Sequence, residues 1–214
     1  MIKDINDFVF HDQETKERVM MFVNSRQIFP AARKGIIFYG AYGCGKTTLA
    51  RLMPSAIDAA RGCHFDLGLD LELDCSAAYY RSHLQSVMQT LDGNICRYEP
   101  VFYMLFDEFD NYGDKQTEFK SVMTNPFIGF FITTNDLSKI TPSVQSRCHL
   151  VELKQPSVSV WESYAKEMFA LRNVPLTNAE IQNSIKSART LSQRDMTATL
   201  EILLYTKQQE QSAA

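Results

Sequence analysis

The sequence lacks any run of about 18 apolar residues, so it predicts no transmembrane helix. Its opening, Met1-Ile2-Lys3-Asp4, carries an acid early and leads into no apolar segment, which argues against a secretory signal peptide. The sequence also lacks a cysteine framework: its five cysteines are odd in number and include no Cys-x-x-Cys pair, a pattern unlike a disulfide or zinc framework. We therefore expect reduced thiols and a cytoplasmic protein. The cysteines are Cys44, Cys63, Cys75, Cys96 and Cys148.

The sequence also lacks an excess of charge of either sign. Lys and Arg number 22 against 25 Asp and Glu, a net charge of −3, which argues against a protein coated in DNA-binding charge but leaves a local basic groove open. Internal repeats and low-complexity segments are absent. With 214 residues and 45% hydrophobic residues, the composition is that of a soluble globular protein with one sizeable core, or a core and a small second domain.

Apolar runs and helical spacing predict strands that alternate with helices in the first part of the chain. Strands are predicted at 35–39, within 65–74, and at 101–106, 127–133 and 149–153. Helices are predicted from Asp12 onward and at 47–57, 77–91 and 115–123. This alternation implies an α/β fold with a parallel sheet covered on both faces.

The pattern changes after Pro156, where only helical spacing follows. Helices are predicted at 158–171, 178–188 and 192–207. The predicted organisation is therefore an α/β core over 1–155, a three-helix lid over 156–207 and a frayed polar tail over 208–214.

Residues 40–47 read Gly-Ala-Tyr-Gly-Cys-Gly-Lys-Thr, a complete phosphate-binding loop between a predicted strand and a predicted helix. The glycines let backbone N–H groups turn inward around an anion at the helix N-terminus. Lys46 can reach the β- and γ-phosphates of a nucleotide, and the Thr47 hydroxyl can bind Mg²⁺. The alternative, a chance glycine-rich turn, is less consistent with this context. The predicted nucleotide-binding residues are Gly40, Gly43, Cys44, Gly45, Lys46, Thr47 and Thr48.

Two acids, Asp107 and Glu108, follow the predicted strand 101–106. At the carboxyl end of a parallel strand, Asp107 would hold Mg²⁺ and Glu108 would activate the attacking water. Acids also end many strands simply as solvated residues, but the phosphate loop upstream favours the catalytic interpretation. Asp110 is expected to be solvated or in a salt bridge.

Two further polar residues lie next to predicted strands: Asn135 follows the strand at 127–133, and Arg147 precedes the strand at 149–153. Asn135, after Thr133-Thr134, can reach between a γ-phosphate and the attacking water; the alternative is an ordinary turn asparagine. Arg147, in Ser146-Arg147-Cys148 before the last strand, is either a solvated charge or a cation directed at another subunit.

In their order along the chain, these motifs resemble those of the AAA+ ATPases. Within that family the sequence is most similar to clamp-loader ATPase subunits, the small subunits of replication factor C and their bacteriophage counterparts. The motifs that carry this resemblance are Asp-Glu-Phe-Asp at 107–110, Thr-Thr-Asn at 133–135 and Ser-Arg-Cys at 146–148. The similarity covers about residues 5–207.

The resemblance implies that the chain hydrolyses ATP with Mg²⁺ at subunit interfaces during DNA replication. Asn135 would be the first sensor, and Arg147 the arginine finger that acts on the nucleotide of a neighbouring subunit. Arg194, in Ser192-Gln193-Arg194, would contact the γ-phosphate from the lid. Expected partners are further copies or related subunits in an oligomer, DNA, and a sliding clamp or other replication protein; no membrane partner is expected.

The resemblance also has a departure and a further candidate site. Clamp-loader subunits usually continue into a helical collar, whereas this sequence ends at residue 214, so nucleotide, DNA or a partner protein would have to hold the assembly together. Tyr79, Tyr80 and Arg81 fall where such subunits face their central channel, and they are candidate nucleic-acid contacts. Half-buried tyrosines beside a solvated arginine are the alternative.

Three other functions stay open at this point. A helicase loader or transposition regulator would form rings or filaments on DNA without a clamp. An ATP-gated adaptor would bind ATP without turnover, although Glu108, Asn135 and Arg147 argue against it. A viral superfamily 3 helicase fits the Ser-Arg-Cys motif and the helical lid poorly.

Overall fold

The structure is a computed structural model that describes residues 4–62, 71–75, 102–116, 119, 123–124 and 128–212. The strands are β1 (Gly35–Tyr39), β2 (Leu71–Asp74), β3 (Phe102–Asp107), β4 (Ile128–Thr134) and β5 (Cys148–Glu152). The α-helices are α1 (Gln13–Asn24), α2 (Lys46–Ala60), α3 (Pro142–Gln145), α4 (Val158–Ala170), α5 (Asn178–Ser187) and α6 (Gln193–Ser212). Strand β1 coincides with its prediction, and β3, β4 and β5 each differ from theirs by one residue at either end.

Within the described residues, the strands form one parallel sheet in the order β2-β3-β4-β1-β5. Strand β4 is buried along its whole length and is rich in aromatic and β-branched residues, which suits a strand with a neighbour on each side and helices on both faces. The parallel α/β fold predicted from the sequence is confirmed.

The core of the sheet includes a cluster of phenylalanines around the end of β3. Phe106 packs against Phe119 with ring centroids 4.5 Å apart and against Phe109 with centroids 5.9 Å apart. Phe109 is fully buried, although it lies in the short 3-10 turn Phe109–Lys115 that follows the strand. Its burial fixes the chain directly after the two acids Asp107 and Glu108.

The chain divides into two compact units, and the division differs from the predicted one. The sheet unit comprises the described parts of Glu14–Gly40 and Lys46–Glu152, and the helical unit those of Met1–Gln13, Ala41–Gly45 and Leu153–Ala214. The sequence predicted a continuous core over 1–155. The N-terminal segment and the centre of the phosphate loop belong instead with the helices, because they pack against the start of α6.

The helical unit has its own apolar core around Trp161 of α4. This side chain is fully buried, and its indole N–H donates to the Leu191 carbonyl at 3.1 Å. Helix α5 begins at a capping box, in which Thr177 and Glu180 each accept a hydrogen bond from the other's backbone N–H. Burial of the Trp161 ring and hydrogen bonding of the backbone N–H groups at the start of α5 both stabilise this unit.

The last helix is longer than predicted. The frayed tail expected at 208–214 is wrong for residues 208–212, which continue α6 to Ser212. Two features favour this extension: Gln and Glu are good helix formers, and Lys207 pairs with Glu180 of α5 and, at 3.5 Å, with Glu210 one turn further along α6. This interaction between two helices is absent from the local sequence pattern.

Other predictions are tested only in part. The predicted helix at 77–91 and most of that at 115–123 lie outside the described residues. Cys44, Cys75 and Cys148, the cysteines within the described ranges, are buried thiols that form no disulfide there. None of the helices in the described part of the chain is long and apolar enough to cross a membrane.

Candidate functional site

Three neighbouring strands end at the same edge of the sheet and bring the predicted site residues of the sheet unit together. Strand β1 leads into Gly40, β3 ends at Asp107, and β4 ends at Thr134. Strand β4 pairs in parallel with both of the others, so their carboxyl ends are adjacent. Ligands of open parallel sheets bind at this edge.

The phosphate loop depends on glycine backbone geometry. Gly40, Gly43 and Gly45 have φ values of 140°, 78° and 90°, a region that side-chain-bearing residues rarely adopt. Lys46 follows as the first residue of α2, is only 8% exposed, and donates through Nζ to the Gly40 carbonyl at 2.9 Å. The ammonium group is thus held at the base of the loop, where a phosphate could replace the carbonyl as its acceptor.

The centre of the loop is packed within the helical unit. A Cβ on Gly45 would lie 2.8 Å from Phe8 Cε2 and 2.9 Å from Gln193 Cγ, and one on Gly43 would lie 2.8 Å from Ser192 Cβ. The Gln193 backbone N–H donates to the Gly43 carbonyl at 2.9 Å, and its side-chain amide donates to the Val9 carbonyl. Phe8 and Gln193 therefore fix the loop, a role that no motif in the sequence predicts.

Cys44 contributes to the loop by filling it. The thiol is buried and donates to the Ala41 carbonyl at 3.0 Å, within the same loop. A small apolar side chain that also donates a weak hydrogen bond suits this tight turn.

Asp107 joins the phosphate loop to the neighbouring strands through one carboxylate oxygen. The Thr47 hydroxyl donates to Asp107 Oδ1 at 2.8 Å, and the Thr133 hydroxyl donates to the same oxygen at 2.5 Å. Hydroxyl and carboxylate oxygens are the ligands that Mg²⁺ prefers, so this pair fits the cation expected with a nucleotide. Thr133 was not predicted to contact the acid, because this contact depends on the register between β3 and β4.

Glu108 has an unusual backbone conformation. Its φ of 52° and ψ of 46° place it in the left-handed region, which few residues other than glycine adopt. Its N–H donates to Thr133 Oγ1 at 3.0 Å, and Asn111 Nδ2 donates to its carboxylate at 3.3 Å. Thr133 thus holds both acids, and strain of this kind is characteristic of functional positions.

Asp110, the second aspartate of the Asp-Glu-Phe-Asp motif, has a structural environment. Its side chain is only 8% exposed and accepts a hydrogen bond from the Thr134 hydroxyl at 3.0 Å. Lys139 Nζ lies 4.0 Å away. A salt bridge, which the sequence analysis allowed, therefore applies to this residue rather than solvation.

The other predicted residues occupy less constrained positions. Asn135 directly follows β4 and is half-buried, Thr48 is half-buried in the first turn of α2, and Arg194 is exposed in the first turn of α6. Their roles toward a nucleotide stay predictions. Tyr79, Tyr80 and Arg81 lie outside the described residues.

Arg147 lies at the opposite edge of the sheet from the phosphate loop. It is exposed in the turn between α3 and β5, and its Nη1 donates to the Ser143 carbonyl at 2.7 Å. Its own carbonyl accepts from the N–H of Gly35, the first residue of β1, at 3.3 Å. Because the loop begins after the other end of β1, five residues away, about 16 Å of strand separates the two sites.

Comparison with known proteins shows similarity of structure alone. No protein-family model and no curated protein matches the chain. Thermotoga maritima RuvB, a Holliday junction branch migration motor, aligns with a TM-score of 0.64 and 16% identity over 94% of this chain and 63% of that one. Domain III of the Thermotoga maritima replication initiation protein DnaA aligns with a TM-score of 0.62 and 16% identity, over 97% and 90% of the two chains.

Caenorhabditis elegans PCH-2 aligns with a TM-score of 0.64 and 14% identity over 95% of this chain and 65% of that one. The chain therefore spans less than two thirds of the RuvB and PCH-2 chains. At these identities the likeness concerns the fold. This chain has the AAA+ fold, a P-loop α/β core with a parallel sheet followed by a C-terminal helical region.

Proposed function

We propose that the chain is an AAA+ ATPase that binds ATP with Mg²⁺ and hydrolyses it where two subunits meet. The observation that carries this proposal is the hydrogen-bonded set of Thr47, Asp107, Thr133 and Glu108. It joins the end of the phosphate loop to both acids, as phosphoryl transfer requires.

Lys46 and Thr47 would bind the nucleotide. The Lys46 ammonium group would release the Gly40 carbonyl and donate instead to oxygens of the β- and γ-phosphates. Its positive charge would then neutralise part of the phosphate charge at a buried position. Thr47 and Asp107 would hold Mg²⁺, which neutralises charge on the phosphates. Thr133 keeps Asp107 Oδ1 oriented toward Thr47 by donating to the same oxygen.

Glu108 and Asn135 would act on the attacking water. Glu108 would accept a proton from it, and the hydrogen bond from its N–H to Thr133 fixes the backbone from which the carboxylate projects. Asn135, one residue beyond β4, would orient the water and a γ-phosphate oxygen. Arg194 would contact the γ-phosphate, as the family resemblance implies.

Arg147 would complete the site of a neighbouring subunit. About 16 Å of strand separates it from its own phosphate loop, farther than an arginine side chain can reach. An exposed guanidinium presented to a second nucleotide would stabilise the charge of the transition state there. Turnover would then require assembly, whereas nucleotide binding would not.

The process that this ATPase serves is proposed from its resemblance to clamp-loader subunits. The Ser-Arg-Cys and Asp-Glu-Phe-Asp motifs favour a role in DNA replication, with DNA and a sliding clamp or another replication protein as partners in the cytoplasm. Two of the proteins with similar folds are described as a Holliday junction branch migration motor and a replication initiation protein, which also favours action on DNA.

The catalytic roles can be tested with Lys46→Ala and Glu108→Gln, using Lys166→Ala on the exposed surface of α4 as a control. Lys46→Ala should lose binding of a fluorescent ATP analogue. Glu108→Gln should bind it normally but release phosphate at least about a hundredfold more slowly, because it lacks the base. The control should match the wild type in both measurements.

Two results would contradict the proposal. Wild-type turnover in Glu108→Gln would remove that residue from catalysis. Background phosphate release by the assembled wild-type protein with Mg²⁺ and DNA would instead favour an ATP-gated adaptor. Filaments on duplex DNA that need ATP but no clamp would replace the clamp-loader role with that of a helicase loader or transposition regulator.

A further inference from the structure

A second exposed arginine lies beside Arg147, at the edge of the sheet where β1 and β5 begin. Arg33 comes two residues before β1, and its Nη1 donates to the Cys148 carbonyl at 2.7 Å. Cys148 is the residue after Arg147 and pairs with Gly35 in the sheet register. The two guanidinium groups are therefore carried by adjacent strand ends.

Both guanidinium groups have donors to spare. Each uses one N–H on a backbone carbonyl, that of Cys148 for Arg33 and that of Ser143 for Arg147, out of the five N–H groups that an arginine carries. Among the described carboxylates, none forms an ion pair with either side chain. Burial raises the pKa of the Cys148 thiol, while both arginines oppose that effect, so both charges act on the same small region.

Two neighbouring like charges that no carboxylate of the described residues neutralises are unfavourable until an anion binds between or beside them. The planar fork of arginine matches the oxygens of a phosphate group better than any other side chain does. The phosphate loop of the same chain is at the far end of β1, so a phosphate at this edge must come from another molecule.

We propose that Arg33 is a second cation which, together with Arg147, binds phosphate oxygens of the nucleotide held by a neighbouring copy of this chain. The inference rests on the proposed function and extends it by one residue. The hydrogen bond to Cys148 positions Arg33 relative to Arg147, because it ties the guanidinium to the residue that follows Arg147.

The test compares Arg33→Gln, Arg33→Lys and Arg147→Ala. Glutamine keeps a donor for the Cys148 carbonyl but removes the charge, and lysine keeps the charge but loses the fork. The matched control is Arg172→Ala, since Arg172 is also exposed and donates through Nη1 to a backbone carbonyl, that of Met168 at 3.0 Å. Each variant is measured for thermal unfolding, binding of a fluorescent ATP analogue and phosphate release.

Arg33→Gln should unfold and bind nucleotide like the wild type and lose about a hundredfold in phosphate release, the loss typical of removing one donor from a charge-stabilising site. The phosphate-release rate of Arg33→Lys should lie between those of Arg33→Gln and the wild type. The rate of Arg172→Ala should match that of the wild type. Mixing Arg33→Gln with Glu108→Gln should restore part of the turnover, because the second variant supplies an intact Arg33 to the intact acids of the first.

Wild-type phosphate release in Arg33→Gln would overturn the inference. So would a dead mixture of Arg33→Gln with Glu108→Gln when the mixture of Arg147→Ala with Glu108→Gln is active; the proposed function would then stand without Arg33. If neither mixture is active, the arrangement in trans fails, and this inference fails with it. Loss of DNA binding with unchanged release in the absence of DNA would assign Arg33 to nucleic acid instead.

Discussion

Cys148 in the Ser-Arg-Cys motif is explained by packing. It pairs with Gly35 across β1 and β5, and a Cβ on Gly35 would lie 2.4 Å from Cys148 Sγ. Burial also raises the pKa of the Cys148 thiol far above its ordinary value of 9.0, so it stays protonated and unreactive. The motif therefore places Arg147, the proposed arginine finger, beside a residue whose size is set by packing against Gly35.

Replacing Gly35 with alanine should destabilise the fold, since the added methyl group would overlap the sulfur. We expect a loss of about 1–3 kcal/mol in the free energy of unfolding, measured by urea denaturation. Removing the sulfur with Cys148→Ala should recover part of this loss in the double variant, because the nearest remaining atom of residue 148 would be its Cβ, at 3.5 Å.

The single variant Cys148→Ala completes a double-mutant cycle. It should be destabilised by the cavity that it leaves, but less so when alanine at position 35 occupies that space. Strictly additive losses would show that the sulfur does not limit the size of residue 35.

The residues of the site differ in how far the sequence could predict them. Lys46, Thr47 and Asp107 follow from motifs, because phosphate binding fixes both the residue types and their spacing. Thr133 and Arg33 were not predicted from the sequence. Thr133 contacts Asp107 through the register of β3 with β4, and Arg33 contacts Cys148, which is 115 positions away in the chain. Such contacts depend on tertiary structure and leave no local pattern.

At the scale of elements, Phe109 shows why the Asp-Glu-Phe-Asp motif is a structural unit. Its buried ring fixes the chain after Glu108, while Asp110 is held by Thr134 and Lys139. The chain is thus held on the C-terminal side of Glu108, the proposed catalytic residue, which favours its left-handed backbone conformation.

The ion pair between α5 and α6 predicts a dependence of stability on pH. The hydrogen bond from Lys207, together with those from Thr177, lowers the pKa of Glu180 from 4.5 to about 2. The folded state therefore binds this proton less readily than the unfolded state does. The contribution of Glu180 to stability is complete above pH 4.5 and is lost as the pH falls toward about 2.

Glu180→Gln should accordingly lose less stability than the wild type when the pH of a urea titration is lowered from about 5 to about 3.

Lys207→Met should speed amide hydrogen exchange in the last turns of α6, with Lys166→Met as the control. If exchange at 208–212 is unchanged in Lys207→Met, the ion pair is not what extends the helix.

Apolar patterning predicted the elements well because most of them are buried on a regular face. Strand β1 and the start of α5 lie where they were expected, since an apolar run defines one and a capping box the other. The order of strands in the sheet was beyond the local pattern. The end of α6 was not predicted either, because residues 208–212 carry no apolar spacing that marks a helix and the contact of Lys207 with α5 is tertiary.

At the scale of the whole molecule, the phosphate loop is shared between the two units. Residues 41–45 pack with the helical unit, whereas Gly40 and Lys46 belong to the sheet unit. The sequence alone placed the whole loop in the core, because it shows the motif but not what packs against it.

Phosphate release per subunit should rise with protein concentration and reach a plateau, since the proposed site takes Arg147 from a second chain. Light scattering over the same range should show assembly, and binding of the fluorescent ATP analogue should vary much less, because Lys46 and Thr47 come from the same chain as the loop. Constant release per subunit across a range in which the assembly dissociates would contradict a shared site.

Strand β1 also has a mechanical consequence. It joins the phosphate loop at one end to the turn of Arg147 at the other, and extended backbone at about 3.3 Å per residue is already close to its greatest length. Such a strut has no slack to take up a displacement. In the proposed assembly, a displacement of Gly40 along β1 would therefore be passed on to the turn that carries Arg147.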